Sequence, residues 1–407
     1  MAPNSDARSA EGIFQGVMYF FRPEKILCLY QITLKEEVDP GLLQAAQDAV
    51  LARTPYFRVQ LVQEKRETFL APNDRPCPVG RGSRPPEIPE ETNGYLFHFS
   101  CEGNVLWFSW YHFIADGKGM SRFLTQVLEE YCNRRYGAVF PCPELPSSPF
   151  YDPEELFARF PGCDTKNDMQ GEVPAIAAEP MQRTLLRLDR ETLIRRALGC
   201  GVKPFSCLTA LLTLAMGRYL DKREITYSYS ADTRGDLGVP DAFYNCVASF
   251  QGRTEFGPVP RLEDVVQAVD ARVKETLVPE NKLGRMAEQM NWIYRVAQLK
   301  APLRIKQRVF QMGEYLGGVP ADFWISYLGC PFSPASPELM DYIQDFEVWV
   351  PPDGASMGVE TASINGQLIL CIQDKTGRAG LAEVLRAVME QEGVRVLEAK
   401  DLTPALA

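Results

Sequence analysis

Histidine is nearly absent from this sequence: His98 and His112 are the only two in 407 residues. That scarcity excludes the usual histidine-based metal spacings. The eleven cysteines do not replace them, because they are scattered singly and form no C-x-x-C pair. No run of about 18 apolar residues exists, so no membrane-spanning helix is expected. The opening MAPNSDARSAEG has neither a basic nor an apolar stretch and does not read as a signal peptide. Buried free thiols in a reduced, cytoplasmic protein are the expectation. Positive charge is also short. Against 53 Asp and Glu stand 43 Lys and Arg, a net charge of −10, and that field repels nucleic acid. The one basic cluster, Lys300, Arg304, Lys306 and Arg308, reads as the solvated face of a helix.

What is present is an ordinary globular composition, 45% apolar and 24% charged, long enough for two or three domain-sized cores. Residues 1–12 are small and polar and are expected to be frayed. ILCLYQITLKEE (26–37) reads as a strand. VDPGLLQAAQDAVLAR reads as a helix with Asp39 as N-cap and Pro40 in its first turn. TPYFRVQLVQ (54–63) and RETFLAP (66–72) read as further strands. Residues 95–113 read as a hairpin turning at Glu102-Gly103-Asn104. After Gly119, apolar residues recur every three or four positions from Met120 to Tyr131, which predicts an amphipathic helix. Eight prolines between Pro141 and Pro180 mark a crossover or linker. The expected organisation is a frayed segment 1–12, a subdomain 13–140, a linker 141–180 and a second subdomain 181–407. In the last, an almost wholly apolar helix near 204–220 is expected to be buried, with strands in ADFWISYLGC, QDFEVWVPP and INGQLILCIQD. Each half mixes strands with helices, which predicts two α/β sandwiches.

The stretch SWYHFIADGKG (109–119) carries the candidate chemistry. A histidine ending an aromatic strand would be held in a partly dry setting, where it can serve as a general base or sit as a satisfied core residue. Asp116 lies too far along the chain to reach the ring locally. It is either a helix N-cap or a brace that needs an arginine partner. Gly117 supplies a positive φ or a close backbone approach. His98, on the facing strand of the hairpin, reads as structural.

His112, Asp116 and Gly117 in HFIADG match H-x-x-x-D-G, and the sequence resembles the superfamily that carries it. That superfamily includes chloramphenicol acetyltransferase, nonribosomal peptide condensation domains, plant BAHD acyltransferases and polyketide-associated acyltransferases. Other segments match in order. VDPGLLQAAQDAVLARTPYFR is similar to the family's early helix, and GVKPFSCLTALLTLAMGRYL to the buried helix opening its second half. SADTRGDLGVPDAFYNCVASF places Arg234 and Asn245 where the family has an arginine and an asparagine. ISYLG, with Ser326 and Tyr327, is similar to a late Ser-Asn-Leu-Gly strand. Three tyrosines depart from the pattern. Tyr111 replaces the first histidine of condensation domains, Tyr244 a glycine, and Tyr327 an asparagine; tyrosine at these last two places could narrow a tunnel.

The resemblance implies two chloramphenicol acetyltransferase-like sandwiches forming a V, with an active-site tunnel between them. It implies a stand-alone acyltransferase moving an acyl group from a thioester, on coenzyme A or a carrier protein, to an alcohol or amine. His112 is then the general base and Asp116 is structural, paired with Arg234. Asn245 shapes the tunnel. The backbone near Gly117, with Ser326 or Tyr327, faces the oxyanion. No metal or redox cofactor is implied. The rival reading is a non-catalytic docking module for a carrier protein. A monomer and a dimer fit the sequence equally.

Overall fold

A computed structural model describes residues 8–9, 16–22, 25–64, 67–144, 151–161, 181–257, 260–317, 320–333, 335 and 337–402. In chain order the first elements are β1 (Arg8–Ser9), α1 (Val17–Phe20), β2 (Leu27–Leu34) and α2 (Pro40–Arg53). There follow β3 (Val59–Glu64), β4 (Glu67–Pro72), β5 (Gly80–Arg81), β6 (Phe97–Glu102), β7 (Val105–Tyr111) and α3 (Gly117–Tyr136). Next come α4 (Pro153–Arg159), β8 (Gln182–Asp189), α5 (Arg190–Gly199), α6 (Pro204–Leu220), β9 (Glu224–Asp232), α7 (Arg234–Leu237) and β10 (Val247–Glu255). The chain then runs through α8 (Leu262–Thr276), α9 (Pro279–Ala297), α10 (Leu303–Gly317), β11 (Ala321–Tyr327) and β12 (Ile343–Trp349). It closes with β13 (Ala355–Ile364), β14 (Gln367–Asp374), α11 (Leu381–Gln391) and β15 (Val396–Leu402).

The fold is mixed α/β, on two principal sheets. One has five strands in the order β12-β2-β7-β6-β5, the other seven in the order β10-β9-β11-β13-β14-β8-β15. Local chemistry explains many of the elements. Asp39 accepts from the Gly41 and Leu42 amides at 2.8 and 3.0 Å and starts α2. Gly103, at φ +56°, turns the β6–β7 hairpin in a backbone region that side chains rarely adopt. In that hairpin Phe97, Phe99 and Phe108 alternate onto one face and pack on Phe123 of α3. In the larger sheet the alternation of β9 sends Tyr229 to α8, where its hydroxyl meets Thr276 at 2.8 Å. Ser228 and Ser230 face the opposite side.

Several expectations need correction. Residues 1–12 are not frayed throughout: Arg8 and Ser9 pair with Leu70 and Phe69 of β4, and the rest of that segment lies outside the described residues. Residues 54–63 are not one strand, because Pro55–Phe57 forms a 3-10 turn and β3 begins only at Val59. The 141–180 linker contains a helix, α4, capped by Asp152 and packed through Phe157 on Tyr294 of α9. Residues 145–150 and 162–180 lie outside the described residues. The stretch 181–407 does not keep to one sheet. β12 leaves it and pairs antiparallel with β2, Phe346 opposite Ile32, so the smaller sheet is completed from the second half of the chain.

Among the described residues no single helix is long and apolar enough to cross a membrane, though α5 and α6 pass that test as a pair bent by 93°. α6 is buried along nearly its whole length, as its composition predicts. Lys306 departs from the solvated face expected of the basic cluster: it is buried and donates to the Ala297 carbonyl at 2.6 Å, leaving Lys300, Arg304 and Arg308 exposed.

Candidate active site

His112 follows the last residue of β7, and backbone bonds fix its position. Its amide donates to the Ile26 carbonyl at 2.9 Å, and its carbonyl accepts from Asn245 Nδ2 at 2.9 Å. The turn from 112 to 116 is clamped by two further side chains. Trp110 Nε1 donates to the Ala115 carbonyl at 3.0 Å, and Tyr56 donates to the Ile114 carbonyl at 2.5 Å. Tyr19 of α1 stacks on the imidazole with ring centres 3.9 Å apart. Tyr111 holds α1 in place, its hydroxyl donating to the Tyr19 carbonyl at 3.0 Å. Among the described residues no group meets His112 Nδ1 in hydrogen-bond geometry, and the side chain borders a cavity of about 560 Å³. Burial lowers the His112 pKa below the ordinary histidine value. Its own carbonyl, Asp116, Asp353 and Asn245 pull the other way without reversing it.

Asp116 does not face His112 as a partner. It is the N-cap of α3, accepting from the Gly119 amide at 2.9 Å through Oδ1. The same oxygen receives Arg234 Nη2 at 2.7 Å, and Oδ2 receives the Cys246 amide at 3.2 Å. Arg234 is fully buried and spends its remaining donors on the Ala242 and Tyr244 carbonyls and on Asp232. Burial opposes its charge, but Asp116, Cys246 and Asp232 hold its pKa above the usual arginine value. The two alternatives for Asp116 are therefore one arrangement, cap and brace together.

Gly117 has no positive φ. The reason for glycine is close approach, since a Cβ there would stand 2.9 Å from the Tyr30 hydroxyl. Gly119, which the sequence reading passed over, is more constrained: a Cβ would fall 2.0 Å from the Phe243 carbonyl oxygen. That contact lets the start of α3 rest on the segment between α7 and β10.

The cavity lies between the two sheets. Cys28 and Tyr30 of β2 and Trp110 of β7 line it from one side, and residues of β9, β11 and β13 from the other. His112, Asp116, Gly117, Arg234, Ser326 and Tyr327 all border it; Asn245 stands behind the His112 backbone. Tyr244 does not border it. Its hydroxyl accepts from the Tyr151 amide at 3.1 Å, so this departure from the family pattern leaves the cavity unobstructed. Tyr327 does border it and is 42% exposed. His98 is elsewhere, buried against Gly80, with its pKa lowered by burial to about 4.

Three groups at the cavity escaped sequence reasoning: Tyr19, the ion pair Arg22–Asp353 at 3.0 Å, and Glu360. Glu360 had a visible signal, a single acid in the otherwise small and apolar run MGVETASI. Tyr19 had none, because α1 spans only four residues.

No family model matches the sequence, and no curated protein matches it. Solved structures do. Polyketide synthase associated protein 5 from Mycobacterium tuberculosis superposes with a TM-score of 0.62 at 16% identity, over 94% of this chain and 95% of that one. The trichothecene 15-O-acetyltransferase from Fusarium sporotrichioides gives a TM-score of 0.62 at 12% identity, over 95% and 93%. The first condensation domain of the calcium-dependent antibiotic synthetase, solved with a substrate analogue, gives 0.62 at 13% identity, over 98% and 100%. The chain shares the condensation-domain and chloramphenicol acetyltransferase-like fold over nearly its whole length.

Proposed function

We propose that the protein is a stand-alone acyltransferase that moves an acyl group from a thioester to an alcohol or amine, with His112 as general base. One observation carries this reading. The histidine side chain borders a cavity walled by both sheets, while the nearby carboxylate is locked in an ion pair with Arg234. A base that must accept a proton at neutral pH is helped by a lowered pKa, which keeps the imidazole neutral.

The acceptor O–H or N–H gives its proton to Nε2 as its heteroatom attacks the thioester carbonyl. The tetrahedral oxyanion then collapses, the C–S bond breaks, and the imidazolium returns the proton to the leaving thiolate. The Gly117 amide, at the open start of α3, and the Tyr327 side chain are the donors proposed for the oxyanion. Ser326 is a weaker choice because its hydroxyl engages Glu360. Asn245 fixes the histidine backbone. The cavity is the proposed tunnel in which donor and acceptor meet. The donor is carried on coenzyme A or on a carrier protein.

The test is a thiol-release screen of acyl-coenzyme A and acyl-carrier donors against pooled alcohols and amines. Transfer should fall by roughly 10²–10⁴ in His112→Ala, with thioester binding and cooperative melting retained. Wild-type transfer in that variant overturns the reading. Release of free acid in place of ester or amide makes the protein a thioester hydrolase.

A further inference from the structure

Three cations border the cavity, and each already has a carboxylate. Arg22 pairs with Asp353 at 3.0 Å, Lys118 with Asp232 at 2.6 Å, and Arg234 with Asp116 at 2.7 Å. A fourth carboxyl remains. Glu360 of β13 is 7% exposed, borders the cavity and makes no ion pair among the described residues. The Ser326 hydroxyl hydrogen-bonds it, and burial pushes its pKa up to about 8 against the pull of that hydroxyl. The titratable groups that face it are Cys28 and Tyr30 from β2 and Cys371 from β14, none of which can supply positive charge.

Serine hydroxyls, which accept as well as donate, surround it. Ser326 is directly opposite Glu360 on the paired strand, and Ser228 is opposite Trp324, two residues earlier on β11 and so on the same face. Ser228 is fully buried, borders the cavity, and its hydroxyl has no hydrogen-bond partner. A carboxyl without a counter-charge and an unpartnered hydroxyl on one sheet face call for a ligand that brings both positive charge and several donors. A primary ammonium has three donors and no acceptor. A phosphate or carboxylate meets only cations that already hold a carboxylate, and an alcohol, unlike an amine, cannot take the carboxyl proton to form an ion pair.

We infer that Glu360, with Ser326 and Ser228, forms an ammonium subsite in the cavity, and that one of the two substrates carries a primary amine held there. The word substrate rests on the acyl-transfer reading; the subsite does not. The amine can belong to the acceptor, as in a diamine or an amino alcohol, or to an aminoacyl donor, and matched probes separate the two. Binding to the full-length protein is measured by calorimetry and thermal shift. Putrescine and cadaverine are compared with the diols of equal chain length, and β-alanyl-coenzyme A with propionyl-coenzyme A. The amine member of at least one pair should bind about tenfold tighter or better than its neutral counterpart. In Glu360→Gln that preference should vanish, while His112→Ala retains it. A preference within the diamine pairs assigns the amine to the acceptor, and one within the thioester pair assigns it to the donor. Equal binding within every pair on the wild-type protein, including no binding at all, overturns the subsite, as does full preference in a folded Glu360→Gln. Loss of transfer in every assay with the amine preference intact would remove the acyltransferase reading and leave the subsite standing.

Discussion

Two carboxylates at the cavity show opposite responses to the same burial. Asp116 has found Arg234, the Gly119 amide and the Cys246 amide, so its charge is compensated three times over. Removing it leaves Arg234 buried with Asp232 as its one ion-pair partner. Breaking a buried pair from one side is much more costly than never having built it. Asp116→Asn should therefore lower unfolding stability by about 3–5 kcal/mol in denaturant titration, and replacing both partners with apolar residues should recover part of that loss. An unchanged midpoint in Asp116→Asn would mean that the pair carries no structural weight. Glu360 is the reverse case. Its proton leaves near 4.5 in the unfolded chain and at about 8 in the folded one, so between those values the native state binds the extra proton. Stability contributed by this group is complete below the lower value and is lost as pH rises through the upper one. Glu360→Gln should thus gain a few kcal/mol over wild type above pH 8 and little near pH 4. Parallel stability curves for the two proteins across that range would show that the carboxyl is not held in this way.

Elements with a local cause could be read from the sequence, and those with a distant cause could not. α2 announces itself by Asp39 and Pro40, α6 by an almost wholly apolar composition, and the β6–β7 hairpin by alternation around Gly103. The candidate site was legible because His112, Asp116 and Gly117 are close in sequence. β13 was hidden because Gly358 interrupts it. That glycine is required by the Trp324 ring, whose nearest atom would stand 2.8 Å from a Cβ, and Trp324 is on another strand. β15 is a mostly half-exposed edge strand with charged residues throughout, and β10 is set by pairing with β9, neither of which leaves a strong periodic mark. Gly119 was missed for the same reason, because what makes it glycine is the Phe243 backbone 124 residues away. Helix propensity alone says that Gly119→Ala near the start of α3 should stabilise by up to about 1 kcal/mol. The 2.0 Å approach to a carbonyl oxygen says the opposite, and it should win, because backbone cannot step aside as a side chain can. The expected result is a loss of roughly 1–3 kcal/mol in melting or denaturant experiments, together with reduced transfer as the His112 turn shifts. A stabilised Gly119→Ala would show that the α3 terminus is free to move away from Phe243.

At the scale of the molecule the two sheets are tied together both near the cavity and away from it. Near the cavity, Asp116–Arg234 and Asn245–His112 tie the start of α3 to the segment around β9 and β10. Away from it, Arg187 of β8 reaches Asp345 of β12 with two bonds of 2.6 and 2.7 Å and adds Glu347 and Glu398 at 3.1 and 2.9 Å. Such a bidentate clamp fixes orientation as well as contributing energy. β12 goes further, since it belongs to the second half of the chain but supplies the strand beside β2. Without it the first half would expose an open β2 edge, with Tyr30 and Ile32 losing Phe346 and Val348 across the pairing. A fragment ending at residue 161 should therefore aggregate or melt without a cooperative transition, although it contains His112 and the whole H-x-x-x-D-G turn. Co-expression with residues 181–407 should restore a soluble complex. Supplying residues 343–350 alone as a fused strand should restore part of the solubility and none of the transfer, because the wall bearing Ser228, Tyr327 and Glu360 would still be missing. A first-half fragment that folds cooperatively by itself would show that β12 is an accessory to that sheet and not one of its structural requirements.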